Sequence, residues 1–408
     1  MNEPLKLEVR FLLTTPAFLG NSRQEAELRP QSFKGLLRHW YRAVDARLTD
    51  KRGGKREDLL WGGTTKGMGQ SSVLLRIVPP KKTILYRWRR EEFGRFTSGS
   101  GKNTINGAWY LGYPFAMKGN RNRTALAPGT LFTLQGVVPR APAMEKDQVR
   151  GVLASFWLLA MLGSCGSRSR RGFGSLQAVE WGLAGREVAR WQDLFSRLPD
   201  PSRLNTPSDW QEGLRQGREV FADWFGRFPD RSDSSDSTKR KSACHPHLGK
   251  RFEIVLMDPA TDWQTALARA GEAMQRFRQR RSPDYTRMKD FLASPRDGRK
   301  APERASFGLP LTFRYSHYPK GPVELFPQRP HSAARLPDRF ASLLGIKIIR
   351  LGQRFCPLVY RMDGAVPGTD LAIRARLKGR QYTLLNASDS ASDSAMYKFF
   401  EQLQGRRP

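Results

Sequence analysis

KDQVRGVLASFWLLAMLGSCGSRSRRGFGSLQAVEW, residues 146–181, joins a helical pattern to a strand through a glycine-rich basic loop. Val149, Val152, Leu153, Phe156, Trp157 and Ala160 recur at three- and four-residue steps, which predicts an amphipathic helix over 146–162 that stops at Gly163. Beyond the loop, residues 175–181 read as a strand. Toward the N-terminus, TLFTLQGVV at 130–138 and SVLLRIV at 72–78 are apolar or β-branched runs bounded by Gly and Pro, hence two more strands, with a long basic insertion between them. Further upstream, Phe33, Leu36, Leu37, Trp40, Tyr41, Val44 and Leu48 space out a helix of about four turns, with Ser32 expected as its N-cap. Leu5, Leu7, Val9, Phe11 and Leu13 alternate with Lys6, Glu8 and Arg10 as in a strand with one buried face. The resulting order is βαββαβ, the ferredoxin-like arrangement common among RNA-binding modules.

Downstream, Trp210, Leu214, Val220, Phe221, Trp224 and Phe225 share one side of a helix over 209–228. PDRSDSSDSTKRKSACHPHLGK, 229–250, has little to bury and is expected to be a mobile loop. A second strand–helix pair follows at 251–257 and 263–277, with strands near 311–315, 345–351 and 356–361 and a final helix near 396–403. The expected fold is α+β, with two ferredoxin-like (RRM-like) domains carrying insertions: residues 1–185, a helix plus mobile linker at 186–250, and residues 251–408.

The 408 residues include 70 Lys+Arg against 38 Asp+Glu, a net charge of +32, and residues 51–150 alone hold 19 basic and 6 acidic side chains. A balance this basic implies a polyanionic partner, and 39% hydrophobic residues exclude wholesale disorder. Cys165, Cys244 and Cys356 are too few and too scattered for a disulfide scaffold or a Cys-rich zinc site. The N-terminus lacks signal-peptide features, and no apolar run approaches the length of about 18 residues that spans a bilayer. The expectation is a cytoplasmic protein without membrane contact.

Two constellations could carry chemistry. In the loop at 163–176, glycine and serine permit tight curvature, so that amides, including those near Gly166 and Ser167, could converge on phosphate oxygens. Arg168, Arg170 and Arg171 would add charge, and Phe173 a ring for base stacking. In RPQSFKGLLRHWYRA, 29–43, Lys34, Arg38 and Arg42 stand four apart and form a basic stripe. Gly35 would let another backbone approach, and Arg42 could instead pair with Asp45. TSGSGKNT at 97–104 fails the Walker pattern at Phe96 and Asn103. Cys244, His245 and His247 lack a fourth metal ligand, so no metal or other cofactor is expected.

AELRPQSFKGLLRHWYRA at 26–43, GSRSRRGFGSL at 166–176 and ASFGLPLTFRY at 305–315 together resemble the RAMP superfamily of CRISPR-associated proteins. Within it they are similar to the first subunits of type III-B Cmr effector complexes. Gln31, His39 and Tyr41 depart from that family's usual helix motif. The resemblance implies a non-catalytic RNA-binding subunit near the 3′ end of the crRNA, assisting target RNA capture in antiviral defence beside other Cmr RAMP subunits. It places RNA contacts at Lys34, Arg38, Arg42, Gly166, Ser167, Arg168, Arg170, Arg171 and Phe173. The rival reading is a crRNA-processing endoribonuclease, for which His39 is the histidine closest to a motif, ahead of His317 and His331.

Overall fold

The computed structural model describes residues 4–49, 53–64, 67, 69–93, 96–97, 103–104, 106–117, 123–139, 144–185, 188–229, 245–279, 282–315, 321–328 and 339–405. Its first unit is built from β1 (Leu5–Leu13), α1 (Pro30–Val44), α2 (Gly53–Trp61) and β2 (Leu74–Val78). An insertion follows, holding β3 (Leu85–Arg87), β4 (Phe96–Thr97), β5 (Asn103–Thr104), α3 (Gly107–Gly112) and β6 (Thr124–Leu126). The unit closes with β7 (Leu131–Val138), α4 (Lys146–Leu162) and β8 (Leu176–Ala184). Its antiparallel sheet has the order β2-β7-β1-β8, with the four strands and two main helices in the predicted βαββαβ sequence. The alternation of β1 decides which way that sheet faces, because Leu5, Leu7, Val9, Phe11 and Leu13 are all buried.

Two local expectations change. Pro30, whose fixed φ and missing N–H suit the first helical position, starts α1 with Arg29 at the N-cap, so Ser32 lies inside the helix. The α4 helix is buried all round, because α5 (Val188–Ser196) and α6 (Pro207–Phe225) cover the side turned away from the sheet. Trp157 donates to the Pro199 carbonyl at 2.7 Å and lies against Gly217 of α6, where a Cβ would overlap its ring.

The second half contains β9 (Glu253–Leu256), α7 (Trp263–Gln279), α8 (Ser282–Ala293), β10 (Leu311–Phe313), β11 (Val323–Pro327), β12 (Leu344–Leu351), β13 (Arg354–Arg361), β14 (Ile373–Leu377), β15 (Arg380–Leu384) and α9 (Ala395–Leu403). Strands β12-β13-β9 form a three-stranded sheet, so β9, α7, β12, β13 and α9 reproduce the ferredoxin-like order short of its last strand. The strand near 311–315 does not join it. It pairs in a separate sheet, β10-β11-β14-β15, whose own core includes Phe313, Val323, Leu325, Ile373 and Ala375.

Residues 163–177 seal the free edge of β12. The Ile346 amide donates to the Arg170 carbonyl (3.1 Å), that of Ile348 to Ser175 Oγ (3.0 Å), and that of Arg350 to Gln177 Oε1 (2.6 Å). Gln177 Nε2 donates back to the Arg350 carbonyl at 2.8 Å, and the Thr14 hydroxyl to that of Ile348. Between these ties Lys347, wholly buried, donates from Nζ to the Ala160 carbonyl near the end of α4 (2.6 Å) and lies 5.4 Å from the Trp210 ring. The two units are thus laced along one strand edge.

A second bridge lies at the C-terminal end of the expected mobile linker. Residues 230–244, including Cys244, lie outside the described residues, but His247, Leu248 and Gly249 are buried. The Leu248 amide donates to the Ala43 carbonyl at the end of α1, while His247 and Asp363 exchange two backbone hydrogen bonds, each 2.9 Å.

Candidate nucleic-acid interface

The loop at 163–176 starts and ends as a narrow ladder, with a bridge between Ser164 and Ser175 and a 2.8 Å bond from the Cys165 amide to the Gly174 carbonyl. Gly174 has φ +62°, and a Cβ there would overlap the Cys165 carbonyl, so the ladder closes this tightly only with glycine. Arg168 also adopts a left-handed conformation, at φ +60°. For a residue with a Cβ this costs on the order of 1 kcal/mol, a strain of the kind that gathers at functional sites. Its guanidinium holds the turn, donating from Nε and Nη2 to the Leu111 carbonyl at 2.8 and 2.7 Å.

The expectation that loop amides converge on phosphate is not met by seven of them. Gly163, Cys165, Ser167, Arg171, Gly174, Ser175 and Leu176 donate to Leu159, Gly174, Phe18, Arg168, Pro16, the Thr15 hydroxyl and Gly163 within the protein. Phe173 is likewise turned inward. It is fully buried, with its ring centroid 5.2 Å from Trp88 and 5.1 Å from Phe115, inside a core shared with α7 and β12. With the ring fully buried among others, it offers no platform for a base in this conformation. Gly107 of α3 and Gly271 of α7 bring the insertion onto the same core, since a Cβ on either would overlap the opposing backbone.

What the loop presents is guanidinium charge. Arg170 donates to the Ser342 carbonyl and Arg171 Nη2 makes a long 3.5 Å contact with the Phe307 carbonyl. Arg171 Nη1 is buried and meets no acceptor among the described residues. Arg278 of α7 joins them, donating to the Tyr110 hydroxyl at 3.0 Å and lying 4.6 Å from the Phe307 ring. Burial lowers the pKa of Arg168 and of Arg170. Burial, with Arg278, Arg168 and Arg170 nearby, lowers that of Arg171 to about 9. Among the described residues the groups acting on these three arginines are tyrosines and other arginines, and no carboxylate is among them.

The stripe on α1 is arranged otherwise. Arg38 pairs with Glu57 at 2.5 Å and Asp58 at 3.2 Å, and Arg42 pairs with Glu57 at 2.5 Å, all through α2. Asp45 is taken by Arg47 (2.8 Å) and the Tyr41 hydroxyl (2.9 Å), so the expected Arg42–Asp45 pair does not form. Lys34 is half-buried, and Gly35 faces open space instead of a second backbone.

Sequence reasoning did not bring together one unusual pair. His39 on α1 and His245 stand with ring centroids 4.8 Å apart, beside Arg42 and Arg170. The signal available was the CHPH run itself, which nothing in the sequence tied to α1. His317 and His331 lie outside the described residues. Among the described residues no group of three His, Cys, Asp or Glu side chains is placed to hold a metal ion, and no helix is long and apolar enough to cross a membrane.

One unit is ferredoxin-like and is laced through an arginine loop to an incomplete second one, and residues 10–177 match the model of the RAMP superfamily. More particularly, the chain resembles subunit one of the Cmr complex. It is 22% identical over 291 residues to the CRISPR system Cmr subunit Cmr1-1 of Pyrococcus furiosus, covering 69% of this chain and 75% of that one. The crystal structure of apo Cmr1 from Pyrococcus furiosus superposes with a TM-score of 0.54 at 17% identity, covering 89% of this chain and 88% of that one. A chain of the type III-B Cmr-beta complex, solved by cryo-EM with cognate target RNA, AMPPnP and ssDNA, gives 0.51 at 13% identity, with 89% and 95% covered.

Proposed function

We propose that this protein is a non-catalytic RNA-binding subunit of a type III-B Cmr ribonucleoprotein. In this reading it sits at the 3′ end of the crRNA and assists target RNA capture in antiviral defence, with crRNA, target RNA and other Cmr RAMP subunits as partners. The observation that carries the reading is the group of Arg168, Arg170 and Arg171 at the join of the two units, with Arg278 beside them and no carboxylate acting on those three among the described residues. Charges buried together without counter-ions are costly, and an RNA phosphate would relieve that cost. Lys34 extends the track along α1, while Arg38 and Arg42 contribute less because Glu57 and Asp58 already neutralise them. Each phosphate contact to a single strand contributes about 0.7 to the log–log salt slope, so replacing Arg168, Arg170 and Arg171 by Ala should lower the slope by about two. An unchanged slope in a folded variant would assign the loop to packing alone.

The His39–His245 juxtaposition favours a second reading, a crRNA-processing endoribonuclease with the two imidazoles as acid and base. Against it, burial and the neighbouring arginines hold both rings neutral in the RNA-free protein, so a protonated imidazole arises only if RNA binding itself supplies it. Incubation with labelled guide or target RNA separates the two readings: the RNA should stay intact, and cutting abolished by His39→Ala would reverse the choice.

A further inference from the structure

We propose that His39 and His245, together with Arg42 and Arg170, form a phosphate site at which RNA binding is coupled to uptake of protons by the histidine pair. The inference rests on the RNA-binding reading above and adds a chemical property to one part of that surface.

The four side chains come from three places in the chain. Helix α1 supplies His39 and Arg42, the loop supplies Arg170, and the bridge at 245–249 supplies His245. Around them stand Glu57 of α2, which pairs with Arg42, Tyr360 of β13, which faces Arg170, and His247, which is 4.0 Å from Asp363 and 4.3 Å from the Phe228 ring. His245 Nδ1 lies 2.7 Å from the Pro246 carbonyl. A carbonyl only accepts, so Nδ1 carries the hydrogen and Nε2 is the basic nitrogen. His39 is lowered well below the ordinary histidine range by burial first, then by Arg170, His245 and Arg42. His245 is lowered to about 3 by burial first, then by Arg42, with Arg170 and His247 adding to it. Without RNA the site therefore holds two neutral rings under two guanidiniums, with Glu57 paired to Arg42 and Asp58 nearby.

A phosphodiester oxygen drawn in chiefly by Arg170, with Arg42 already largely matched by Glu57, reverses this balance. Its negative charge opposes the field of both arginines, and an opposite charge within about 4–6 Å raises a neighbouring group's pKa by one to three units. Each ring then takes a proton from solvent onto its basic nitrogen, and no bond of the RNA is made or broken. The sign follows directly: bound protein carries more protons than free protein, so affinity rises as pH falls.

The test is anisotropy of a fluorescein-labelled oligouridylate at fixed KCl, from about pH 6.5 down to about pH 4.5, the window into which a rise of one to three units brings His245. It compares the full chain with a double variant carrying His39→Asn and His245→Asn. The unmodified protein should gain up to about tenfold in affinity per pH unit for each proton taken up, and the double variant should lose that dependence. Calorimetry of the unmodified protein near pH 5, in two buffers of different ionisation enthalpy, counts the protons directly and needs no substitution. Equal pH slopes in the two proteins, or no proton taken up, would overturn the coupling while leaving RNA binding in place. Absence of binding at every pH would remove the RNA reading and the coupling together. Cleavage of the probe that the double variant lacks would replace the coupling with catalysis.

Discussion

The two basic constellations have the same residue types and nearly opposite environments. On α1, Arg38 and Arg42 share the carboxylate of Glu57, itself only 5% exposed, so their charge is matched inside the fold. In the loop, Arg168, Arg170 and Arg171 meet backbone carbonyls from distant segments, namely Leu111, Ser342 and Phe307. A carbonyl satisfies a donor but does not cancel a charge. An arginine count along the chain therefore says little about affinity for RNA; what matters is whether the fold has already supplied the anion.

The largest effect expected from testing this contrast falls on Phe173. Its burial among rings predicts that Phe173→Ala costs about 3–5 kcal/mol in urea unfolding, as for other buried aromatics cut to alanine. A loss near zero would mean that the ring leaves the core and is available to a base after all. Next comes Glu57→Gln, which strips the shared carboxylate from two arginines. Stability should fall by about 1.5–3 kcal/mol, the range for hydrogen bonds to charged groups. The salt slope of RNA binding should steepen as Arg38 and Arg42 are released, and a flatter slope would contradict the pairing.

Acidification gives a smaller and graded effect. His245 has a folded-state pKa of about 3, below its unfolded value. The unfolded chain therefore binds more protons between those two values, and stability falls as pH drops through that window. By pH 5 the loss is about 2 kcal/mol for this histidine. Chemical denaturation at pH 7 and pH 5 should show the loss in the unmodified protein and a reduced one in His245→Asn. The smallest effect expected is for Arg171→Met, which replaces an uncompensated guanidinium by an apolar chain of similar length. Thermal melting should show no loss or a gain of about 1 kcal/mol, while RNA affinity falls. A clear destabilisation would show that the Phe307 contact matters more to the fold than the charge does.

Much of the first unit was legible because its patterns are local. Strand β1 alternates because one face is buried, and α4 repeats at helical spacing, although no periodicity reveals that α5 and α6 cover its other side. In the second half, β14 and β15 passed unnoticed despite a readable signal. Ile373, Ala375 and Leu377 alternate with arginines, and Lys378-Gly379, both at positive φ, make the hairpin turn. The loop at 163–176 was placed correctly between helix and strand, and its glycines do permit a tight ladder. Its inward direction was not readable, because the carbonyls that receive its arginines lie 57, 172 and 136 residues away in sequence. The same limit hid the meeting of His39 with His245.

The lacing along β12 also sets a clock on synthesis. Ser175 and Gln177 leave the ribosome long before Ile348 and Arg350, their partners 173 residues later. At about 5–20 residues per second, that interval is roughly 10–30 seconds in which the first unit exists with its seam open. Limited proteolysis of stalled nascent chains should cut within 163–176 at short lengths and stop cutting there once residue 351 has emerged. Until then, the stretch later tied across the join is the part of the molecule most open to other proteins and to RNA.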